Sequence, residues 1–507
     1  MKNNDVIPAL SIIENMMKEI NFVIEFHKET PMECIVTEQW KEIQQKHDPK
    51  DRAISERAFY KKYEIPFHAI IAIIVKQLCK VAEDKGMPLC SLDGDTYLYN
   101  GAFWQQIERT TFDKFLSRVA CKSGINPKMS ITASAKRSLE QQFHAYASRT
   151  EQRDNDSCIK INLSNGILKI DDNGCMLMPF SADEFMRYQI PVAYDENAKT
   201  DLFQQFLDRV LPKKESQNFL AEYIGYALTN NLKLEQCLLL IGTGANGKSV
   251  VFDIVNALLG TENITHYTLS QLCDGDGYYR SMISGKLLNY SSELGTNLSD
   301  VDMVKKLISG EPVDARNPYG RPFTVYRYCK FMFNTNSLPT SVEISDAYFR
   351  RMNFMQFDVT IPKSEQDPEL AKKIIATELD GVLQWVLTGL KRLLATRQFT
   401  KSPKMEAAKE QIRRDLDSVA TFMVEYGYKS SSNHRVLMKE LREEYNEFCK
   451  LNNCRQVGHK SFGQRLRAAG FDVVSGTGNR TYVCCETTQD SEFDVIEQVF
   501  KLKSPKQ

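Results

Sequence analysis

The stretch Leu238-Leu239-Leu240-Ile241-Gly242-Thr243-Gly244-Ala245-Asn246-Gly247-Lys248-Ser249 decides how this 507-residue chain is read. Its four leading apolar residues predict a buried strand. The next eight fit G-x-x-x-x-G-K-[ST], and Val250-Val251-Phe252-Asp253-Ile254-Val255-Asn256-Ala257-Leu258-Leu259-Gly260 continues as an apolar-periodic helix closed by glycine. Strand, glycine loop and helix in that order are the setting of a phosphate-binding loop. Glycines at 242, 244 and 247 release the backbone so that the amides of the loop, Ala245 and Asn246 included, turn inward as an anion nest. The helix adds its positive end beneath the phosphates. Lys248 is expected to reach the β- and γ-phosphates and Ser249 to ligate Mg²⁺. The expected ligand is a nucleoside triphosphate.

Bulk properties narrow the class without naming a partner. Apolar residues make up 42% of the chain and charged residues 26%, ordinary proportions for a globular protein. Lys+Arg and Asp+Glu both number 65, so any nucleic-acid surface must be local. The 13 cysteines are scattered with no C-x-x-C pair, which argues for reduced thiols rather than a disulfide framework or zinc site. Cys484-Cys485 sits in a strand-like run and reads as structural. Asp5, Glu14 and Lys18 interrupt the apolar residues at the start, which suits an amphipathic helix rather than a signal peptide. The early apolar run at 69–75 is too short to span a bilayer. The expectation is a soluble protein of the bacterial or host-cell cytoplasm, with no membrane partner.

The fold class expected is multidomain α/β. Residues 1–85 read as a helical N-terminal region, with Ile12, Ile13, Met16 and Ile20 at helical spacing. Residues 86–200 read as an α+β domain. Asp-Gly and Asn-Gly turns between 92 and 104 mark hairpins, 110–147 is helical, and 159–178 is again β-like. Residues 201–395 read as a helical collar followed by the α/β nucleotide-binding core. Residues 396–507 read as a helical connector and a compact terminal unit. In that unit 436–452 is one helix, Lys460-Ser461-Phe462-Gly463-Gln464-Arg465-Leu466-Arg467-Ala468-Ala469-Gly470 a second, and two short strands flank a Gly-rich tip, a winged-helix outline. The tail after 487 reads as a short helix and a frayed end.

Four elements downstream of the loop supply the rest of a hydrolytic site. Lys286-Leu287-Leu288-Asn289-Tyr290-Ser291-Ser292-Glu293 is a strand ending in a carboxylate that can polarise water or hold Mg²⁺. Lys305-Lys306-Leu307-Ile308-Ser309-Gly310-Glu311 leads into a basic Pro/Gly turn carrying Arg316, Tyr319 and Arg321. Lys330-Phe331-Met332-Phe333-Asn334-Thr335-Asn336-Ser337-Leu338-Pro339 is a strand with a polar tip, and Asn336 there can sense the γ-phosphate. Asp346-Ala347-Tyr348-Phe349-Arg350-Arg351-Met352 offers an arginine to the phosphate of a neighbouring subunit.

In this order the elements resemble a superfamily 3 helicase of the phage, plasmid and poxvirus primase-helicase type. The shared pattern is G-x-x-x-N-G-K-S, a strand ending in Glu, Lys-x-x-x-S-G-[DE] with a basic hairpin, T-N-x-L-P, and paired arginines. The resemblance extends upstream through Asn165-Gly166-Ile167-Leu168, Tyr194-Asp195 and Gly225-Tyr226-Ala227-Leu228-Thr229, and covers about residues 90–486. It implies a ring-forming AAA+ motor, usually hexameric, that uses ATP and Mg²⁺ to move on single-stranded DNA. By that resemblance Glu293 is the Walker B acid, Asn336 the sensor, and Arg350 or Arg351 the finger, with Arg351 preferred. The hairpin faces the ring channel, where Arg316 and Arg321, supported by Lys306, pair with phosphates and Tyr319 stacks on a base. The same segment also reads as an ordinary surface hairpin. Ser292 stands where many relatives carry a second acid, so the single carboxylate of Glu293 is expected to serve both metal and water.

Residues 455–482 hold Arg455, Lys460, Arg465, Arg467 and Arg480 against one acid, Asp472. A winged helix with that charge suits duplex DNA at an origin or fork. A protein-docking face carries the same pattern. Asp93-Gly94-Asp95 is turn chemistry rather than the clustered carboxylates of a primase, so a separate primase or polymerase is expected. Two other functions fit parts of the chain: an ATP-switched replication initiator or loader that binds DNA without processive unwinding, and a small-molecule kinase. The basic hairpin, Asn336 and the paired arginines argue against the kinase.

Overall fold

A computed structural model describes residues 5–28, 33–62, 65–150, 158–171, 174–229, 232–295, 300–318, 320–336, 346–452, 456–476, 478 and 480–487. Tyr319, Arg455 and the tail beyond 487 lie outside the described residues. The chain divides into two compact units, Met1–Tyr194 and Asp195–Gln507.

In the first unit, the helices Val6–Met16 and Phe67–Asp84 bury Leu10, Ile13, Ile74 and Leu78. That face joins Leu98, Phe112, Leu116, Leu139 and Phe143 in one core. The boundary expected near residue 85 is therefore not a break: the N-terminal helices and the following α+β segment close over a shared interior. Apolar spacing marks a face for burial but not the partner that covers it. The strands Leu89–Leu92, Asp95–Tyr99 and Trp104–Ile107 form an antiparallel sheet in that order. Leu92 pairs with Asp95, so the two-residue turn is Asp93-Gly94, both at positive φ. A second antiparallel sheet orders Ile159–Leu163, Gly166–Asp171 and Gly174–Met178.

The second unit is organised by a five-stranded sheet. From edge to edge the strands are Met352–Gln356, Cys237–Ile241, Lys330–Thr335, Leu288–Ser291 and Ile264–Thr265, every pairing parallel. Cys237, Leu238, Leu239 and Leu240 are wholly buried, as a central strand covered on both faces requires. The strand order reverses beside Cys237–Ile241, and such a switch point opens a crevice at the carboxyl ends of the strands. The helix Asp201–Val210 precedes the sheet. Lys214–Ala227 packs against Leu379–Thr396 so closely that a side chain at Gly225 or Gly389 would collide with Leu390 or Ala221.

The C-terminal part of this unit places the helices Ser418–Glu425, Met438–Leu451 and His459–Ala468 on a three-stranded antiparallel sheet. That sheet orders Val436–Leu437, Thr481–Val483 and Val473–Ser475. Phe422, Leu441, Tyr445, Phe462, Leu466 and Val483 close its core. The helix expected from 436 begins at Met438, because Val436 and Leu437 pair with Val483 and Tyr482 instead. No described helix is long and apolar enough to cross a membrane.

Candidate nucleotide site and its surroundings

The glycine loop leaves the strand Cys237–Ile241 at the switch point and ends where the helix Lys248–Leu259 begins. Two of its glycines are required by contact. A Cβ at Gly242 would stand 2.0 Å from Asn246 Nδ2 and 2.8 Å from the Phe357 carbonyl oxygen. One at Gly247, where φ is +90°, would meet Phe206 and Val210 at 2.9 Å. The helix Asp201–Val210 thus packs beneath the turn into Lys248. The outer side of the loop is braced by the chain after the edge strand. Asn246 Nδ2 donates to the Phe357 carbonyl at 3.1 Å, and the Ile361 N–H donates to the Ala245 carbonyl at 2.8 Å.

Lys248 is 7% exposed, and its Nζ donates to the Gly242 carbonyl at 2.7 Å and to Asn246 Oδ1 at 3.1 Å. Burial pulls its pKa below the ordinary lysine value. A cation held in this way, with only neutral oxygens as partners, gains from an anion brought within reach. Ser249 is exposed in the first turn of the helix, where the helix dipole is positive. These residues fit a triphosphate: a glycine turn at a helix N-terminus, a shielded ammonium, and a free-standing hydroxyl for a metal.

Glu293 and Asn336 reach the same end of the sheet from neighbouring strands. Thr335 is level with Ile241, and the Gly242 N–H donates to the Thr335 carbonyl at 3.3 Å. Exposed Asn336 therefore stands beside Gly242, one strand spacing away, roughly 5 Å. Ser291 is level with Phe333 in the next strand. The acid strand ends at Ser291 rather than at Glu293, and exposed Glu293 follows two residues on, with its N–H donating to Ser291 Oγ at 3.3 Å. Asn334 does not face solvent; it accepts from the buried Tyr290 hydroxyl at 2.9 Å and ties the two strands together. Burial drives the Tyr290 hydroxyl pKa upward, keeping it a neutral donor. This tie and the Phe357 brace were missed from sequence, because nothing local marks their partners.

The two arginines lie at the opposite end of the sheet. The Cys237 N–H donates to the Arg351 carbonyl at 2.8 Å, placing the pair at the amino ends of the strands, roughly 16 Å from Gly242. The structure does not favour Arg351 over Arg350 as a finger. Arg351 is 8% exposed; its Nε donates to Ser309 Oγ at 2.8 Å, its Nη1 to the Ala347 carbonyl at 2.8 Å, and its Nη2 lies 3.4 Å from Glu235. Arg350 is exposed.

The basic turn is a true hairpin: Val313–Arg316 pairs antiparallel with Pro322–Val325. Arg316, Arg321 and Lys306 are all exposed, and Arg316 Nε donates to the Gly320 carbonyl across the tip at 3.2 Å. Phe323 and Tyr326, 41% and 71% exposed, add aromatic surface not anticipated from sequence. In the C-terminal part Lys460, Arg467 and Arg480 are exposed, whereas Arg465 is half-buried and its Nη1 lies 3.6 Å from Asp417, which caps the helix Ser418–Glu425.

Residues 74–212 match the family described as "D5 N terminal like". Residues 240–351, from the glycine-loop strand to Arg351, match a "Family of unknown function (DUF5906)". The D5-type match supports the primase-helicase resemblance at the level of the family. Among solved structures, the chain is similar to "The A form apo structure of NrS-1 C terminal region-CTR", at 12% identity and a TM-score of 0.46, covering 80% of this chain and 97% of that one. A second structure of that region matches at 13% identity and a TM-score of 0.42, over 80% and 98% of the two chains.

Proposed function

We propose that this chain is an ATP-dependent DNA helicase of superfamily 3 that works as a ring, most simply a hexamer, in replicating a phage, plasmid or integrative element from the cytoplasm. The observation that carries the reading is the convergence of Lys248, Ser249, Glu293 and Asn336 at the carboxyl ends of three adjacent parallel strands, beside the switch point.

The loop amides from Gly242 to Lys248 cradle the phosphates, and Lys248 exchanges its bond to the Gly242 carbonyl for phosphate oxygens. Ser249, with Glu293 beyond the end of the strand Leu288–Ser291, would hold Mg²⁺, which would supply charge neutralisation at the phosphates. Glu293 accepts a hydrogen bond from the attacking water and aligns it, and Asn336 donates to the γ-phosphate. Arg350, far from its own loop and facing solvent, acts on the loop of the adjoining subunit. Hydrolysis on one chain thereby requires a second copy. The hairpin with Arg316 and Arg321, together with Lys306 and Tyr319, grips single-stranded DNA. Lys460, Arg467 and Arg480 form the duplex-facing side of a winged helix.

Strand separation on a forked DNA substrate tests this reading. ATP-dependent release of the displaced strand supports it. Turnover and DNA binding without release give the chain to the initiator or loader class.

A further inference from the structure

Arg280 is 2% exposed and takes no part in the site described above. Its Nε donates to the Asp314 carbonyl at 2.6 Å, Nη1 to the Leu272 carbonyl at 3.0 Å and to that of Asp274, and Nη2 to Asp314 Oδ2 at 2.9 Å. A planar guanidinium is suited to such a fan of acceptors, since its donors are fixed in one plane. Asp314 lies on the first hairpin strand, two residues before Arg316, and the Arg316 N–H donates to the Gly277 carbonyl at 3.2 Å. The segment 272–280 therefore holds the first hairpin strand through both a side chain and the backbone.

The other end of this segment meets the nucleotide side. The Leu269 N–H donates to the carbonyl of Leu294, the residue after Glu293, at 3.1 Å. A Cβ at Gly295 would stand 2.5 Å from Ser270 Oγ, so the chain after Glu293 runs hard against the helix Leu269–Leu272. Leu269, Leu272, Leu294, Val313 and Ala315 share one core. Packed interiors transmit displacement rather than absorb it. The path from Glu293 to Arg316 is thus contiguous, and Arg280 is its hydrogen-bonded joint.

We propose that Arg280 is a positioning residue that couples the segment after Glu293 to the hairpin, so that nucleotide binding resets the hairpin's position. The proposal rests on the reading of Glu293 as part of the nucleotide site. An apolar residue at 280 would fill the space but leave the carbonyls of Leu272, Asp274 and Asp314 without donors, loosening the joint while the sheet and glycine loop stay intact.

Amide hydrogen exchange of the full chain, with and without Mg²⁺ and the non-hydrolysable analogue AMP-PNP, tests it. In the wild type, exchange in 313–316 and 322–325 changes when the analogue binds. In Arg280→Met the analogue binds with the same affinity by calorimetry but the hairpin response is lost, and Arg280→Lys restores part of it. Asp314→Ala, at a side chain 68% exposed, removes one acceptor without threatening the fold and reduces the response. A hairpin response that persists in Arg280→Met and Asp314→Ala, or is missing in a wild type that binds the analogue, overturns the coupling alone. A wild type that binds no analogue overturns the nucleotide reading, and the coupling with it.

Discussion

The Lys248 ammonium lies 2.7 Å from the carbonyl oxygen of Gly242, the first glycine of its own loop. The lysine is therefore stored against its loop in a shielded place, and burial lowers its pKa. Holding it there costs desolvation that a phosphate would offset. Lys248→Ala is expected to cut ATP turnover by about 100-fold or more, as loss of a transition-state donor does. The unfolding midpoint should stay level or rise, because the charge contributes nothing to packing. Steady-state hydrolysis and a thermal melt on the same preparation check both halves; a variant that keeps its turnover contradicts the site.

The two arginines should separate by phenotype. Arg351→Ala removes bonds to Ser309 and Ala347 from a nearly buried side chain and should destabilise by about 2 kcal/mol. Its contact with the 40%-exposed Glu235 adds little. Arg350→Ala should leave the melt unchanged but abolish turnover. If Arg350 acts in trans, mixing Arg350→Ala with Lys248→Ala subunits restores part of the activity, since some interfaces then carry both an intact loop and an intact arginine. No recovery on mixing, with assembly intact, rules out action in trans by Arg350.

Basic residues that are exposed should report on DNA, and those that are paired on stability. Arg316→Ala and Arg321→Ala are each expected to lower single-strand affinity and to reduce the salt slope of binding by about 1. Lys460→Ala, Arg467→Ala and Arg480→Ala should weaken duplex binding only. Arg465→Ala should lower the melting point without a comparable change in duplex affinity, because its partner is Asp417. Fluorescence anisotropy over a salt series distinguishes these outcomes.

Lys330 begins the strand that ends at Thr335 and sits 4.5 Å over the Tyr226 ring, with Nζ 3.4 Å from the Leu232 carbonyl. Burial, first among the causes, pushes its pKa down to about 8. The unfolded chain holds that proton to a pH near the ordinary lysine value, about 10.4. Below about 8 both states are protonated and the folded protein carries the full cost of the buried charge. As pH rises from 8 towards 10.4 the folded state sheds the proton first, so this group's contribution to stability grows more favourable. Lys330→Met should therefore gain stability relative to wild type at pH 7, on the order of 2 kcal/mol, with the gain shrinking by pH 10. Urea midpoints of the pair at both pH values check it; a gain independent of pH contradicts the assignment.

Elements set by local chemistry were legible in the sequence. The strand, glycine loop and helix around Lys248, the Asp93-Gly94 turn and the basic hairpin stand where periodicity and turn residues put them. What depends on distant partners was not. Arg350 and Arg351 are indistinguishable as letters, and only the fold shows that Ser309 and Glu235 engage one of them. Arg465 reads as one more surface cation until Asp417 is found beside it. Val436 and Leu437 fit a helix as well as a strand, and Tyr482 and Val483 decide between the two. The helices before residue 85 gave no sign that Leu98 and Phe112 complete their core.

Lys248 is expected to drive a DNA-responsive, assembled ATPase. ATP hydrolysis by wild type and Lys248→Ala, with and without single-stranded DNA and with particle size followed in parallel, tests it most directly. The expected result is turnover from a ring, stimulated by DNA in the wild type and lost in the variant. Turnover from a monomer that is indifferent to DNA would contradict it.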